Sequence, residues 1–335
     1  MTERRPVLSV RNLKVGFENS RGTLQVLEGV DFSLSAGEIL ALVGETGCGK
    51  SVTAKTILNL MPQLDCIRSG EIFFQNQNLM TLSNRELQRI RGRAVTMIFQ
   101  NPQASINPVF TLGEQIYRLI CLHLKQEIHR LCQRKGLNQK AAVRQIAIQK
   151  LSEVGLTEIE GLLESHAHKI SGGMAQRYKI ALALIGSPNV LIADEATSAL
   201  DVTVQAHILA LLKEISRQKD TAILFITHDM GIAAQICDRV AVMYAGRVVE
   251  TGATLDIFKN PLHPYTRGLL KAVPRLGKQE PLLFIPGKIP DLSSPPSGCR
   301  FHPRCGNQTA VCRTRKPPFK LASDGHSVAC HLYAS

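Results

Sequence analysis

The stretch Gly44-Glu45-Thr46-Gly47-Cys48-Gly49-Lys50-Ser51 fits the spacing G-x-x-x-x-G-K-S, and the chemistry it suits is phosphate binding. Glycines let the backbone curl so that successive N–H groups point inward, and a helix starting there adds partial positive charge. Lys50 then reaches the β- and γ-phosphates, and Ser51 offers a hydroxyl to Mg²⁺. Four later stretches carry compatible groups. Gln100 follows the apolar run Val95 to Phe99 and can set its amide oxygen on a metal ion or a water. Ser171-Gly172-Gly173-Met174-Ala175-Gln176 opens a second helix with glycines, a second anion site where one nucleotide needs only one. The run Val190-Leu191-Ile192-Ala193 ends in Asp194-Glu195, two carboxylates of the kind that hold Mg²⁺ and polarise an attacking water. His228 closes another apolar run and can donate to a γ-phosphate. Each has a bland reading: a glycine turn, a loop glutamine, two acids in a solvated turn, a structural histidine. The wholly apolar run before Asp194 weakens the third of these.

Elements must hold these groups in place. Glu38 to Val43 reads as a buried strand entering the glycine loop, and Ser51 to Leu60 as the helix leaving it. Before them, Val7 to Val10 and Leu13 to Phe17 alternate as two antiparallel strands, and Val26 to Leu34 supplies a third. Phe17 lies in this hairpin, where a ring can stack on adenine or serve as an edge residue. Ser69 to Phe74 is a strand, and Ser83-Asn84-Arg85-Glu86 is a capping box for a polar helix. From Thr111 to Leu163 apolar residues recur at helical spacing, broken near Gly136 and Gly155, which predicts three helices. Further helices are expected from Arg177 to Ile185 and, after Ser198-Ala199-Leu200-Asp201, from Val202 to Arg217. Strands at Val190 to Glu195, Thr221 to Thr227, Val240 to Tyr244 and Arg247 to Glu250 complete the α/β pattern near Phe258.

With 335 residues the chain has room for one large domain and an appendage. Its longest apolar runs are far shorter than the ~20 residues that span a bilayer. Met1 to Pro6 is followed by no apolar signal core, so a cytoplasmic location is expected. In that setting the nine cysteines are free thiols or metal ligands rather than disulfides. The net charge of +13 raises nucleic acid and anionic lipid as partners. Its Lys and Arg are scattered, without interleaved aromatics, which disfavours nucleic acid and suggests a solvated basic face.

Taken in order, the phosphate loop, Gln100, Ile170 to Gln176, Val190 to Glu195, Ser198 to Asp201 and His228 resemble the nucleotide-binding subunit of an ABC transporter. The resemblance implies an ABC-type P-loop NTPase with a RecA-like core, an antiparallel β-subdomain and a helical subdomain at about 101–165. It also implies that two such domains pair head to tail and trap ATP between one chain's phosphate loop and the other's signature motif. Residue by residue it implies Lys50 and Ser51 on phosphate and Mg²⁺, and Gln100 as the lid contact. Ser171 and Gly173 are implied to face the partner's γ-phosphate, with Gly172, Gln176 and Asp201 in the same nucleotide-binding set. Asp194 is implied on Mg²⁺, Glu195 as general base and His228 as the γ-phosphate switch. Three departures stand out: Ile170 for the commoner Leu, Ala196 for Pro, and Asn76 where Gly is usual. Asn tolerates the left-handed backbone such a turn needs.

Beyond Phe258 the chain contains Asn260-Pro261-Leu262-His263-Pro264-Tyr265-Thr266-Arg267-Gly268, and later Gly298-Cys299-Arg300-Phe301-His302-Pro303-Arg304-Cys305. With Gln103-Ala104-Ser105-Ile106-Asn107-Pro108, these resemble the dipeptide, oligopeptide and nickel importer subfamily. That divides the chain into 1–258 and an extension, 259–335. Its importers join two different ATPase subunits to two membrane permeases and an extracytoplasmic binding protein, placing this chain peripherally at the cytoplasmic face of the inner membrane. The transported solute, peptide or metal chelate, is not legible. A soluble ABC ATPase acting on DNA or ribosomes is the rival; such proteins usually carry two ATPase domains or a long coiled coil, and neither pattern is present.

Cys299, Cys305, Cys312 and Cys330 cluster in a segment with too few large apolar residues to build its own core. Four thiolates on a [4Fe–4S] cluster, or on zinc, would fix it. The spacings are wide and uneven for zinc, and related extensions resemble [4Fe–4S] carriers. His302, His326 and His331 are alternative ligands. Cys48, beside Lys50 at a helix N-terminus, is expected to be a reactive thiol.

Overall fold

The computed structural model describes residues 5–19, 22–61, 66–100, 105–198, 200–273 and 284–333. Gln103, Ala104 and Ala199, cited above for the resemblance, lie outside the described residues. The chain forms two compact units, Met1–Leu82 with Ala222–Ser335, and Ser83–Thr221.

In the first unit, Ile39–Val43 pairs in parallel with Ala222–Thr227 on one side and Arg239–Tyr244 on the other. The sheet continues antiparallel through Arg247–Ala253, His326–Ala329 and Phe319–Ser323. All eleven residues of the strands Ile39–Val43 and Ala222–Thr227 are buried, as the apolar runs require of parallel strands covered on both faces. A second sheet orders Gly22–Ser35, Pro6–Asn19, Cys66–Phe74 and Gln77–Asn78. The two opening strands expected from the alternation are one strand, Pro6–Asn19. Its polar interruption is a local irregularity at Asn12, whose φ is 45°. Asn76 has φ 68°, the left-handed turn its residue type permits.

The second unit pairs Val95–Ile98 in parallel with Val190–Asp194. The stretch expected to form three helices forms four: Leu112–His123, Lys125–Lys135, Gln139–Glu153 and Ile159–Glu164. The extra break falls at Leu124, where φ −114° and ψ 30° interrupt the helix without glycine or proline. Gly136 ends the second helix in the left-handed region. Ser83 makes the expected capping box with Glu86. A helix starts at Gly172, five residues before the expected Arg177, because Ser171 accepts from Met174 N–H and caps it. Asp201 caps Val202–Lys219 by accepting from Val204 N–H.

Candidate functional site

Within the first unit the strand Ile39–Val43 delivers Gly44, and the helix Lys50–Ile57 leaves the loop. Two glycines here are required by space. A Cβ on Gly44 would stand 2.1 Å from the Met243 carbonyl oxygen, and one on Gly49 2.6 Å from Leu27 Cδ2. Lys50 is buried and donates its ammonium to the loop's own carbonyls, Gly44 O at 2.7 Å and Glu45 O at 3.1 Å. The loop is therefore already wrapped around the lysine. Thr46 and Gly47 are exposed at its mouth, and Ser51 occupies the first helical turn.

Cys48 departs from expectation. It is buried, and burial pushes its thiol up despite Lys50 Nζ at 3.8 Å, so desolvation outweighs the neighbouring cation. The backbone, not the thiol, does the work at this position: Cys48 O accepts from Gly246 N–H at 2.8 Å. His228 stands exposed just past Ala222–Thr227. Phe17 is half-buried on the long strand, in register with Leu24 and Cys66.

The second unit carries Gln100, Asp194 and Glu195. Val190–Asp194 is entirely buried, which carries Asp194 to the strand's end at 3% exposure. Glu195 turns out of the strand with φ 48°. Its carboxylate accepts from Gln100 Nε2 at 2.5 Å, so the glutamine and the acid, distant in sequence, share one place. Lys179, buried on the Ser171-capped helix, donates to Phe99 O at 2.5 Å and so supports the residue before Gln100. Burial holds its ammonium down to about 8. Gln176, buried on the same helix, donates to Ala196 O next to Glu195, while Ser171 and Gly172 lie exposed at its start. No spacing rule pointed to Lys179. Ser51 in the first unit and Asp194 in the second each carry a hard oxygen donor of the type Mg²⁺ takes.

In the extension Cys299, Cys305 and Cys330 each lie within electrostatic reach of Cys312. Cys299 is pushed up to about 11, first by burial and then by the charges of Cys312, Cys330 and Cys305. Cys305 is raised by burial and by Cys312, and Cys330 by burial and by Cys305 and Cys312. Cys299 N–H also donates to Cys312 O at 2.8 Å. Among the described residues no group of three or more His, Cys, Asp or Glu converges on one metal ion. The three candidate histidines are occupied elsewhere: His326 with Glu250 at 2.8 Å, His331 with Arg315 O and His302 with Cys299 O.

Residues 27–198 match the family "ABC transporter", and residues 249–312 the family "Oligopeptide/dipeptide transporter, C-terminal region". The chain is also 47% identical, over 97% of its length and 94% of the relative's, to the dipeptide transport ATP-binding protein DppD of Bacillus subtilis. The chain belongs to the ABC transporter family. Among other ABC relatives, the oligopeptide transport ATP-binding protein OppD of Salmonella typhimurium is 42% identical over 97% of this chain and 93% of its own. A dimeric bacterial ABC transporter cassette, MJ0796, superposes with a TM-score of 0.62 at 24% identity, covering 74% of this chain and 98% of its own, a likeness of fold. The cbiO1 subunit from Clostridium perfringens, part of the ABC transporter complex cbiONQ, has a TM-score of 0.60 at 25% identity, over 76% and 91%.

Proposed function

We propose that the chain is the ATP-hydrolysing subunit of an importer that moves di- and oligopeptides across the cytoplasmic membrane. The observation that carries this reading is the pairing of an ABC match with a peptide-transporter C-terminal match in one chain that aligns with DppD over 97% of its length. Among the described residues no helix is long and apolar enough to cross a membrane. By its likeness to peptide-transporter ATPases the chain works with permeases, a sister ATPase and an extracytoplasmic binding protein, from the membrane's cytoplasmic face. Residues 1–258 serve as the ATPase domain, with 101–165 as its helical part, and 259–335 as the extension.

Lys50 and Ser51 would take phosphate and Mg²⁺, Asp194 would serve the metal, and Glu195 would accept the proton of the attacking water, with Gln100 beside it. When bound, the metal would neutralise charge on the phosphate oxygens. Phe17 faces the base, and Ser171, Gly173 and His228 address γ-phosphates. Glu195→Gln in the assembled transporter should keep ATP binding while turnover falls about 10²- to 10⁴-fold, the usual worth of a general base. Peptide uptake should stop with it. Retained turnover removes Glu195 from the role, and assembly with ribosomes or DNA instead of permeases ends the transport reading.

We further propose that Cys299, Cys305, Cys312 and Cys330 would hold a [4Fe–4S] cluster, with zinc as the second choice. What supports this is that Cys299, Cys305 and Cys330, all partly buried, each lie within electrostatic reach of buried Cys312 in a segment with little core of its own. Zinc at about 2.3 Å from each sulfur demands tight convergence, whereas a cluster spreads its four ligands.

A further inference from the structure

We propose that Arg304 and Tyr265, both outside the nucleotide motifs, position the phosphate loop, so that the cysteine-bearing extension sets the chain's affinity for ATP. The inference rests on the ATPase reading above and adds two residues to it. Glu45 is the second residue of the phosphate loop, and both of its polar ends are held by the extension. Its N–H donates to Tyr265 Oη at 2.9 Å. Its carboxylate receives a two-pronged grip from Arg304, Nη1 to Oε2 at 2.7 Å and Nη2 to Oε1 at 3.0 Å.

The arginine is built in rather than resting on a surface. It is 9% exposed. A guanidinium has five N–H donors, and each finds an acceptor here. Nε donates to Pro286 O at 2.9 Å, Nη1 also to Tyr244 Oη at 3.4 Å, and Nη2 also to Ile285 O at 3.3 Å. Tyr265 is fully buried and packs against Tyr244 and Phe301, with ring centres 4.6 and 5.4 Å apart. Two anchors from one extension thus meet on one loop residue.

Two physical effects follow. The Glu45 carbonyl already accepts from Lys50, so fixing Glu45 fixes the lysine's parking place and the curl of the loop. The Glu45 carboxylate also places negative charge on a loop meant for polyphosphate, and Arg304 neutralises it by a charge-assisted, bidentate pair. Arg304 directly precedes Cys305, so whatever organises the cysteines organises the arginine. Lysine cannot replace it, because one ammonium cannot span two carboxylate oxygens and three other acceptors.

The test is equilibrium binding of MgATP, read by displacement of a fluorescent trinitrophenyl-ATP, to the full chain and four variants. Arg304→Gln should weaken binding about tenfold, the loss of one charged hydrogen-bonding pair. Glu45→Gln alone should cost less than about threefold, since an amide oxygen still accepts one prong. The double variant Arg304→Gln/Glu45→Gln should return to within about threefold of wild type, because no unpaired carboxylate remains. A merely structural arginine would show no such rescue. Tyr265→Phe, remote from the cysteines in sequence, should weaken binding about threefold by removing only the acceptor of Glu45 N–H. Wild-type affinity in both Arg304→Gln and Tyr265→Phe, or a double variant as weak as Arg304→Gln, overturns the proposal. Should Arg304→Gln fail to fold, Tyr265→Phe decides alone, and unchanged binding there overturns it. A wild-type chain that binds no ATP would sink the ATPase reading instead.

Discussion

Glu250 offers a measurable test of how the extension is tied to the ATPase core. It lies on the strand Arg247–Ala253, has no exposed surface, and accepts three hydrogen bonds from the segment that follows. Leu262 N–H reaches Oε1 at 2.7 Å, His263 N–H reaches Oε2 at 2.9 Å, and His326 Nε2 lies 2.8 Å from Oε1. His263 in turn accepts from Tyr265 N–H at 3.0 Å, so the same carboxylate stands behind the tyrosine that holds the phosphate loop. Glu250→Ala strands two amide hydrogens and an imidazole in a buried site. At about 1–3 kcal/mol for each donor left without a partner, and allowing some relief from water entering the space, the loss is about 3–6 kcal/mol. That is a large share of the ~5–15 kcal/mol that holds a domain folded. At ~2–4 °C for each kcal/mol, thermal unfolding followed by circular dichroism should begin at least ~6 °C lower. Glu250→Gln keeps an acceptor but turns an amide N–H toward a donor, so it should fall between. A Glu250→Ala midpoint within about 2 °C of wild type would refute the reasoning, because water would then be replacing the carboxylate at little cost.

Cys48 should resist iodoacetamide at neutral pH in the native chain, reacting at least about tenfold more slowly than the same thiol in urea, because burial raises it. Fast native labelling with protection by MgATP would restore the reactive-thiol expectation. Lys179 should make stability pH-dependent. Its folded value of about 8 lies below the ordinary lysine value, so the unfolded chain binds more protons between about pH 8 and 10.5. The burial cost is therefore fully present below pH 8 and is relieved as pH rises through that window, by at most about 3 kcal/mol given the bond to Phe99 O. Urea midpoints from pH 7.5 to 9.5 should rise for wild type more than for Lys179→Met; parallel slopes would exclude this. Anaerobically purified protein should be brown and lose the colour when Cys299, Cys305, Cys312 or Cys330 becomes Ser. One equivalent of zinc in colourless protein would select the other metal, and metal-free protein would end the idea.

Local signals were readable in the chain, and long-range ones were not. The glycine loop, the apolar strands ending in Asp194 and His228, and the Ser83 capping box all express contacts within a few residues. Asn76 announced its left-handed turn by residue type. The break at Leu124 has no glycine or proline to mark it. The irregularity at Asn12 looked like a strand boundary because polar residues interrupt the alternation, yet neighbouring strands on both sides carry it through. The lysine near Cys48 is visible in the sequence, whereas the burial that opposes its effect on the thiol is not. The pairs Glu45–Arg304 and Glu250–His326 are separated by 259 and 76 residues, and no spacing rule reaches that far.

The basic charge acquires a meaning from the same long-range contacts. Glu28 carries three cations: Arg247 at 3.2 Å, Arg300 at 2.9 Å, and Lys316. Burial alone would raise its carboxyl; Lys316, Arg300 and Arg247 outweigh burial and hold it below the usual range. Arg300 also donates to Ala245 O, in the turn whose next N–H, Gly246, reaches Cys48 O of the phosphate loop. Arg300, Arg304 and Lys316 all belong to the extension, and Glu28 and Glu45 both belong to the opening part of the first unit. The extension is thus seated on the core by the buried Arg300 and Arg304 as well as by the Tyr244, Tyr265 and Phe301 rings. Breaking a buried pair leaves an uncompensated charge, at about 3–5 kcal/mol, whereas an apolar seat of the same size would tolerate sliding. The Arg304–Glu45 pair gives the extension a fixed register at the phosphate loop, which is what a loop that must meet phosphate in one geometry requires.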